Sequence, residues 1–410
     1  MKIYIERHGC SLNHGEADLL GRMALERGWE PTGSAEDADL LVLTTCVVVQ
    51  GTEAKLLDRV RKLSATGKPL VVYGCMVNVM AERVRGMAPA ARLLTTKELK
   101  DFPSLLEKAG PPRTDPGTEV HANIPISNGC RGQCTYCIAR LARGELRSRP
   151  FDDILGQVRA SVAQGRTELR LTAQDTALYG QDLRDKADLP SLLREITSID
   201  GRFMVRVGMM NPDSTLPVLR HLLWAFLDPK VYKFLHVPVQ SGSDQVLARM
   251  GRGYHVEDFI EVVQRFREAI PELYLSTDII AGFPGETDAD HRATMDLLEA
   301  VRPDVVNLKA FSARPGTEAK AMPGRVLTSV VKSRTKELHD LKKKISSENL
   351  AVQKGRELDV LLTERPKPGS TMGRSMEYRP IVIKAEAPLG SLVRVKVEGR
   401  KGDYLLGTQI

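Results

Sequence analysis

Apolar runs and helical stretches alternate through the first hundred residues, and a cysteine follows each apolar run. The runs predict buried strands at Lys2–Glu6, Leu40–Leu43 and Leu70–Tyr73. The stretches that follow predict helices at Glu16–Arg27, Glu53–Leu63 and Val79–Arg85. Right-handed crossovers make such a sheet parallel, so all its strands end at one edge. We therefore expect the three cysteines after these strands to converge there: Cys10, Cys46 and Cys75.

The other three cysteines share one short loop with the spacing C-x3-C-x2-C: Cys130, Cys134 and Cys137. Three thiolates suit an iron–sulfur cluster with one open iron, since a closed electron-transfer cluster normally takes four cysteines. Structural zinc is the alternative, but it also requires four ligands. No histidine or further cysteine within a dozen residues after Cys137 supplies the fourth.

This loop is similar to the cluster loop of the radical-SAM superfamily. The resemblance implies a [4Fe–4S] cluster whose open iron binds the amino and carboxylate groups of S-adenosylmethionine. The reduced cluster would then cleave the carbon–sulfur bond of that molecule. The resemblance also implies that Tyr136, directly before the last cysteine, packs near the adenine. Without the cysteines, Tyr136 would be an ordinary turn residue.

The first cysteine set is open to more than one interpretation. Three more thiolates at one sheet edge suggest a second cluster with its own open iron. Small buried residues are the alternative, since free cysteine is among the most buried residue types. The recurrence of cysteine at the same point of three successive units favours the cluster. A disulfide framework is disfavoured, because the chain is long, shows no apolar signal segment at its start and is expected to be cytoplasmic.

Two three-cysteine sets in this order resemble the radical-SAM methylthiotransferase family, and the resemblance covers the whole chain. The similar segments are Gly9–Asn13 (GCSLN), Thr45–Lys55 (TCVVVQGTEAK), Gly74–Met76 (GCM) and Ala142–Arg149 (ARGELRSR). Thr45 stands where the family usually has Asn, but this departure removes no ligand. The resemblance implies that the six cysteines hold two [4Fe–4S] clusters and that the N-terminal cluster supplies sulfur.

Length and composition agree with an α/β chain of three parts. The chain has 410 residues, of which 42% are hydrophobic, enough for two or three cores. We expect an N-terminal parallel-sheet α/β domain at 1–112, a central partial (β/α)6 radical-SAM barrel at 116–345 and a small antiparallel β-barrel at 346–410. No apolar run approaches the roughly 18 residues of a membrane helix. The charged, amphipathic stretch Val326–Val352 predicts a helix that bridges domains.

The C-terminal tail is basic. From Lys342 to Ile410 there are 14 Lys and Arg against 8 Asp and Glu, an excess of +6. Short strands separated by Gly and Pro predict the small barrel: Leu358–Thr363, Arg379–Ala385, Leu392–Glu398 and Asp403–Gln409. Such barrels often bind single-stranded RNA. The tail resembles the TRAM domain, which implies that Gly373–Arg379 is a substrate-facing loop. A solvated surface without a partner is the alternative.

Six further apolar runs predict the strands of the central barrel: Ile124–Ile126, Leu169–Thr172, Met204–Val207, Phe234–Val239, Leu273–Ile280 and Val305–Leu308. Chemistry in such barrels lies at the C-terminal strand ends. Polar clusters follow these strands: Gln174–Thr176, Asn211–Pro212, Gln240–Gly242, Gly282–Thr287 and Ser312–Gly316. Each alone is more often a turn or a helix cap, and only their common position favours a ligand site.

By resemblance, five residues are candidates for binding adenosylmethionine: Gln174, Asp175, Arg206, Gln240 and Ser241. The segment Gly282–Thr287 would line the adenine side. Arg206 is alternatively a strand arginine in a structural ion pair. His8 and His236 lie near the expected sites, but a structural role is favoured over a ligand role for both.

The resemblance also implies a reaction. One adenosylmethionine would yield methionine and a 5′-deoxyadenosyl radical, and a second would methylate the sulfur that the substrate radical takes up. The segments Ala139–Arg147, Arg206–Pro212 and Gly373–Arg379 look most like the archaeal and eukaryotic branch that acts on N6-threonylcarbamoyladenosine 37 of tRNA. Expected partners are the tRNA anticodon stem-loop and an electron donor such as a flavodoxin or ferredoxin, without a membrane. The alternatives are isopentenyladenosine 37, a ribosomal-protein aspartate, and a non-enzymatic iron–sulfur protein that binds RNA.

Overall fold

Five parallel strands form the N-terminal sheet of the computed structural model, which describes residues 1–47, 50–113, 119–184 and 187–410. The strands are β1 (Lys2–Glu6), β2 (Glu30–Pro31), β3 (Leu40–Thr45), β4 (Leu70–Gly74) and β5 (Arg92–Leu94). They lie in the order β2-β1-β3-β4-β5, and every neighbouring pair is parallel. The predicted parallel sheet is therefore confirmed, with two short edge strands that the apolar pattern did not indicate.

The helices α1 (Ser11–Glu26), α2 (Gln50–Ser64) and α3 (Cys75–Met87) cover this sheet. Leu41 and Leu43 of β3 belong to one apolar core, and Leu40 and Val42 belong to another. Successive side chains of a strand point to opposite faces, so a strand with a core on each face is apolar without interruption. A short 3₁₀ helix, Leu99–Leu105, follows the sheet.

The central region contains two groups of three parallel strands. Its strands are β6 (His121–Pro125), β7 (Ser127–Asn128), β8 (Arg147–Ser148), β9 (Glu168–Thr172), β10 (Met204–Arg206), β11 (Phe234–His236), β12 (Tyr274–Ala281) and β13 (Val305–Ala310). One group has the order β10-β9-β6 and the other β11-β12-β13, while β7 and β8 form a separate hairpin. Between the groups, Val205 makes an isolated parallel bridge with Val231. The six predicted strands thus keep their chain order around an open barrel.

Helices surround these strands. They are α4 (Ile138–Arg143), α5 (Phe151–Ala163), α6 (Leu189–Thr197), α7 (Pro212–Thr215), α8 (Leu219–Phe226), α9 (Asp244–Arg249), α10 (Val256–Ala269) and α11 (Asp288–Val301). Three further 3₁₀ turns lie at Thr176–Leu178, Leu216–Val218 and Glu318–Lys320. The largest apolar core fills the space between the strands and this outer layer.

The long helix α12 (Thr328–Ala351) connects the central region to the tail. Its residues Leu338, Leu341 and Ile345 are buried in the central core, whereas Leu350 is buried in the tail core. The predicted bridging helix is confirmed. The domain limits stay predictions: residue 116 lies outside the described residues, and α12 runs without a break across residue 346.

The tail closes into a barrel of five strands, with the order β14-β15-β16-β18-β17. They are β14 (Glu357–Lys367), β15 (Ser370–Ser375), β16 (Pro380–Ile383), β17 (Leu392–Lys401) and β18 (Tyr404–Gln409). The sequence pattern missed β15, whose inward positions are small or polar. A Cβ on Gly373 would lie 2.5 Å from the Cγ1 atom of Val360, so only glycine allows this close approach. The predicted small antiparallel β-barrel is confirmed, with one pair that the sequence pattern did not indicate: β16 and β18 pair in parallel.

The segment Gly373–Arg379 is not an open loop. Its first part belongs to β15, and its turn packs against the N-terminal strand ends of the central region. The backbone N–H of Lys233 donates to the carbonyl of Met376 (2.9 Å), and Tyr378 Oη donates to Glu168 Oε1 (3.0 Å). The ring of Tyr378 lies 4.8 Å from that of Tyr232. These hydrogen bonds and the aromatic contact hold the turn on the central region, and its substrate-facing role stays a prediction.

Candidate active site

The structure brings the first cysteine set to one edge of the N-terminal sheet. Cys10 directly precedes α1, Cys46 follows β3, and Cys75 is the first residue of α3. The strands β1, β3 and β4 are neighbours in the sheet, so their C-terminal ends meet. Cys46 and Cys75 are buried, whereas Cys10 is exposed. Val48 and Val49 of the segment that follows Cys46 lie outside the described residues.

A polar network joins this edge to the central region. Asn13 Nδ2 donates to the carbonyl of Thr45 (2.9 Å), and its Oδ1 accepts from the thiol of Cys10 (3.1 Å). Arg143 Nε donates to the sulfur of Cys75 (3.1 Å), and Arg143 Nη2 donates to Asn13 Oδ1 (3.3 Å). Arg143 of the central region therefore contacts Cys75 directly and is connected to Cys10 through Asn13.

The charge of Arg143 is balanced by Glu16. Both side chains are almost fully buried, and Arg143 Nη2 lies 2.9 Å from Glu16 Oε2. Burial alone lowers the pKa of Arg143, but Glu16 outweighs it and holds this pKa well above its usual value. A second donor of the same guanidinium, Nη1, contacts Asn128 Oδ1 (3.1 Å) in β7, directly before the second cysteine set.

The second cysteine set lies in the loop between β7 and α4. Hydrogen bonds hold this loop both within itself and to the residue after α9. The backbone N–H of Gly132 donates to Cys130 Sγ (3.2 Å), and the N–H of Thr135 donates to the carbonyl of Met250 (2.9 Å). Gly129 has φ +80°, and a Cβ there would lie 1.9 Å from the carbonyl oxygen of Glu145. Only glycine fits this turn, which sets the direction of the loop.

Helix α4 separates the two cysteine sets. It begins directly after Cys137 and ends at Arg143, so its six residues span about 9 Å. Ile138 and Ala142 of this helix share an apolar cluster with Cys46 and Cys75. The short helix thus packs on the first set while its N-terminus adjoins the second.

The thiol chemistry suits iron–sulfur ligation at both places. Burial raises the pKa of Cys75 and of Cys130 to about 11, and burial also raises the pKa of Cys137. Thiolates at such positions form only with a compensating cation, and a metal cluster supplies one. Within the described residues, no three His, Cys, Asp or Glu side chains are arranged to hold a single metal ion. A cluster takes one thiolate per iron, so its ligands need not meet at one point.

Tyr136 is held by an arginine that sequence reasoning missed. Arg252 Nη2 donates to Tyr136 Oη (2.6 Å), and its guanidinium lies between the rings of Tyr136 and Tyr254 at 5.7 and 5.5 Å. Arg252 Nη1 donates to Asn211 Oδ1 (2.8 Å), and Asn211 Nδ2 donates to Asp175 Oδ2 (2.7 Å). The chain of contacts connects the cysteine loop with two strand ends.

Asp175 is fully engaged in this network. It also accepts from Ser214 Oγ (2.7 Å) and from the backbone N–H of Ala177 (3.1 Å), which caps a 3₁₀ turn. Burial raises the pKa of Asp175 to about 6, although these hydrogen bonds oppose the shift. Gln174 contacts the loop itself, because its Oε1 accepts from the N–H of Gly129 (2.7 Å). Gln174 therefore supports the cysteine loop directly, and Asp175 supports it through Asn211 and Arg252.

A cavity of about 420 Å³ opens beside Cys137. Tyr136 and Gln240 line it, and so do residues of β12, β13 and the segment after β13: Asp278, Ile280, Asn307, Lys309, Phe311 and Arg314. Gln240 has φ +72°, a strained backbone for a residue other than glycine. Its N–H and carbonyl both pair with β12, which holds this conformation.

Two other candidates lie away from this cavity's lining. Ser241 Oγ faces α11, at 3.4 Å from Thr294 Oγ1, and accepts from the N–H of Ser243 (3.2 Å). Gly282–Thr287 is tied to α11 and α12, because Glu286 pairs with Arg334 (2.7 Å) and Thr287 caps α11. Phe283 nevertheless meets the ring of Tyr136 edge-on at 6.2 Å.

Arg206 lies in a different cavity, of about 330 Å³, at the N-terminal ends of β11–β13. Its guanidinium is 4.8 Å from the ring of Phe234 and 5.2 Å from that of Tyr378. The structure therefore does not bring Arg206 to the cysteine loop, and no ion pair for it occurs among the described residues. Burial lowers the pKa of Arg206.

The two histidines pair with carboxylates. His8 Nε2 lies 2.7 Å from Glu6 Oε1, and His236 Nε2 lies 3.0 Å from Asp278 Oδ1. The structural interpretation of both residues is consistent with these contacts.

Arg143 and Arg252 are the site residues that sequence reasoning did not single out. Arg143 lies in the segment Ala142–Arg149, which resembled the methylthiotransferases, so a signal existed for it. Arg252 lies in no motif that indicates a function. Only the structure reveals its contact with Tyr136, because α9 packs near the cysteine loop. Among the described residues, no helix is long and apolar enough to cross a membrane.

Three family profiles cover most of the chain. The radical SAM superfamily matches residues 124–298, the uncharacterized protein family UPF0004 matches residues 2–96, and the TRAM domain matches residues 351–410. A solved structure of a radical S-adenosylmethionine methyltransferase from Kitasatospora setae shares 15% identity at a TM-score of 0.59. It covers 78% of this chain and 76% of its own, and the likeness concerns the fold.

Curated relatives cover nearly all of the chain. A probable threonylcarbamoyladenosine tRNA methylthiotransferase of Pyrococcus horikoshii is 38% identical over 99% of both chains. A tRNA-2-methylthio-N(6)-dimethylallyladenosine synthase of Moorella thermoacetica is 34% identical over 98% of this chain and 97% of its own. Members of the radical SAM superfamily use S-adenosylmethionine and a [4Fe–4S] cluster. With two cysteine sets on either side of α4 and relatives of this identity along its full length, the chain belongs to the radical-SAM methylthiotransferase family.

Proposed function

We propose that this protein adds a methylthio group to C2 of N6-threonylcarbamoyladenosine at position 37 of tRNA. The observation that carries the proposal is the place of α4, which packs against Cys46 and Cys75 while following directly on Cys137. A radical formed beside one set could act within reach of sulfur held by the other. The name of the 38% identical relative supports the threonylcarbamoyl substrate.

In this proposal Cys130, Cys134 and Cys137 hold the cluster that cleaves adenosylmethionine, and Cys10, Cys46 and Cys75 hold the auxiliary [4Fe–4S] cluster. When bound, these groups supply a reducing electron, a hydrogen-abstracting carbon radical and a transferable sulfur. The chain itself positions them: Arg252 holds Tyr136, and Gln174 holds the turn at Gly129. Arg143 places a positive charge against the sulfur of Cys75.

Adenosylmethionine would occupy the part of the 420 Å³ cavity that adjoins Cys137, which Tyr136 and Gln240 line. Asp175 and Ser241 would act through the loops they hold, since their oxygens are already hydrogen-bonded. Arg206 is the one adenosylmethionine candidate that lies beside the tail rather than near the cluster loop. The apolar wall formed by Ile280 and Phe311 would limit the access of water to reactive species.

The tail would bind the anticodon stem-loop through its exposed basic residues. Lys384, Lys396 and Lys401 are exposed on the barrel, and contacts from such side chains to phosphate dominate RNA affinity. An electron donor such as a flavodoxin or ferredoxin would reduce the radical cluster. A cytoplasmic location follows from the substrate that we propose.

Anaerobic reconstitution with iron, sulfide, adenosylmethionine and a reductant tests the proposal. The protein should release 5′-deoxyadenosine and convert threonylcarbamoyladenosine in an anticodon stem-loop to its 2-methylthio form, detected by mass spectrometry. Release of 5′-deoxyadenosine without methylthiolated nucleoside from any RNA would contradict it. The name of the 34% identical relative favours a second candidate, the isopentenyl nucleoside, and product from that RNA alone would replace our assignment.

A further inference from the structure

The cavity beside Cys137 is lined by two cations that differ in their partners. Arg314 is buried, and its Nη2 donates to the carbonyl of Val47 (2.8 Å) and to Glu53 Oε2 (2.5 Å). Lys309 lines the same cavity and is exposed, and its side chain has neither an ion pair nor a hydrogen bond within the described residues. The charge of Arg314 is thus paired with a carboxylate, whereas the charge of Lys309 is not.

The direction of Lys309 follows from the alternation of β13. Asn307 and Lys309 are two residues apart on this strand, and alternate residues of a strand share a face. Asn307 Nδ2 donates to Asp278 Oδ1 (2.7 Å), so this face points into the barrel. Phe311, two residues after Lys309, lines the same cavity.

The acidic residue of the cavity has other partners. Asp278 accepts from Asn307 and lies 3.0 Å from His236 Nε2. Its pKa is lowered: burial raises it, but the contact with His236 and the hydrogen bond from Asn307 outweigh burial. Lys309 therefore faces a cavity in which the acidic side chain is already engaged, and a negatively charged ligand group would complete it.

We propose that Lys309 binds the carboxylate of the threonylcarbamoyl group and selects this nucleoside over one with an apolar modification. The inference rests on the proposed function and adds a specificity-determining residue to it. A carboxylate could also come from adenosylmethionine, which occupies the same cavity in our proposal. We assign the carboxylate to the nucleoside because Lys309 is exposed to solvent, where RNA can approach. Adenosylmethionine, by contrast, is expected beside Cys137.

The test uses the reconstituted full-length protein and the variants Lys309→Ala and Lys309→Gln. The matched control is Lys332→Ala, an exposed lysine of α12 that lines a neighbouring cavity. Each protein is given three anticodon stem-loops, which carry threonylcarbamoyladenosine, its carboxamide analogue or isopentenyladenosine. The readouts are kcat/KM for methylthiolation and, without RNA, the KM for adenosylmethionine in 5′-deoxyadenosine release.

The parent protein and Lys332→Ala should prefer the carboxylate over the carboxamide. Lys309→Ala should lose this preference, with kcat/KM for the carboxylate substrate lower by about tenfold or more, mainly through KM. The KM for adenosylmethionine should stay unchanged. An unaltered carboxylate preference in Lys309→Ala, or a KM for adenosylmethionine that rises in parallel, would overturn the inference alone. A parent protein that modifies only the isopentenyl RNA would overturn the proposed function as well.

Discussion

The two cysteine sets reach their positions by different routes. Cys130, Cys134 and Cys137 occupy eight consecutive residues, so a short loop brings them together. Cys10, Cys46 and Cys75 are spread over 66 residues, and three neighbouring parallel strands bring them to one edge. The first kind of site depends on local turns such as that at Gly129. The second kind depends on a folded sheet and on the contact of Asn13 with Thr45.

The comparison shows where each site is vulnerable. The loop is held by backbone hydrogen bonds and by Tyr136, with Arg252 as its main side-chain support. The sheet edge is held by the buried pair of Arg143 and Glu16, which joins two domains. Changes to the loop should therefore act on adenosylmethionine cleavage, whereas changes at the sheet edge should act on sulfur transfer and on domain attachment.

Removal of one cysteine from each set should have the largest effects. Cys134→Ala should abolish both 5′-deoxyadenosine and the methylthio product, because it removes a ligand of the cluster that we assign to adenosylmethionine cleavage. Cys46→Ala should keep 5′-deoxyadenosine release, lose the methylthio product and contain about half the iron, since one of two similar clusters is lost. Chromatography of the products and iron analysis measure these outcomes. If Cys46→Ala still methylthiolated its substrate at the parent rate, Cys10, Cys46 and Cys75 would not hold the sulfur-donating cluster. Their role would then be structural only.

The next largest effect should come from Arg143→Met, which should lower the stability of the protein. It leaves Glu16 buried without its cation, and breaking such a pair costs about 3–5 kcal/mol of the free energy of unfolding. Urea unfolding of the iron-free protein measures the loss. Arg140→Met is the matched control, because this arginine of the same helix faces Glu318 at 3.5 Å on a partly exposed surface. The double variant Arg143→Met with Glu16→Leu should recover part of the stability, and a double variant as unstable as the single one would contradict this account.

A smaller effect should come from Asp18 of α1, whose titration makes the free energy of unfolding depend on pH. Burial raises its pKa to about 6, although Arg7 lies 3.0 Å away. The unfolded carboxyl loses its proton near pH 4, whereas the folded one keeps it to about pH 6, so stability should fall as pH rises between these values. The fall in the free energy of unfolding should be on the order of 3 kcal/mol. Asp18→Asn should flatten the plot of unfolding free energy against pH between pH 4 and 6. The control Asp152→Asn, at an exposed carboxylate, should leave that plot unchanged. The same plot for the parent protein and both variants would exclude Asp18 as the cause.

The smallest effect should come from Tyr136→Phe. It removes the 2.6 Å hydrogen bond from Arg252 but keeps the ring contact with Phe283. We expect a loss of roughly 1–2 kcal/mol of stability, because Arg252 is half-buried and loses one acceptor. The KM for adenosylmethionine should rise more than kcat falls. Tyr254→Phe, whose hydroxyl donates only to the carbonyls of Pro238 and Val239, is the control. A larger rise in KM for the control would show that Tyr136 has no special part in binding.

Much of the site could be predicted from particular residues. The run Leu40–Leu43 identified a strand buried on both faces, and the cysteines after three such strands were expected to meet. The spacing of Cys130, Cys134 and Cys137 indicated a cluster loop without any structure. By contrast, β15 escaped detection because Thr371, Gly373 and Ser375 carry its inward face, and small polar residues do not produce an apolar alternation.

The sequence by itself determined what is periodic or adjacent: the strands, the helix α12 and the ligand spacing of the loop. Only the tertiary structure decided which distant side chains meet. Arg143 reaches Cys75 across 68 residues, and Tyr378 reaches Glu168 across 210. The parallel pairing of β16 with β18 and the separate cavity of Arg206 are of the same kind. The physical reason is that periodicity reports which face of an element is buried, whereas the partner on that face depends on how whole elements pack.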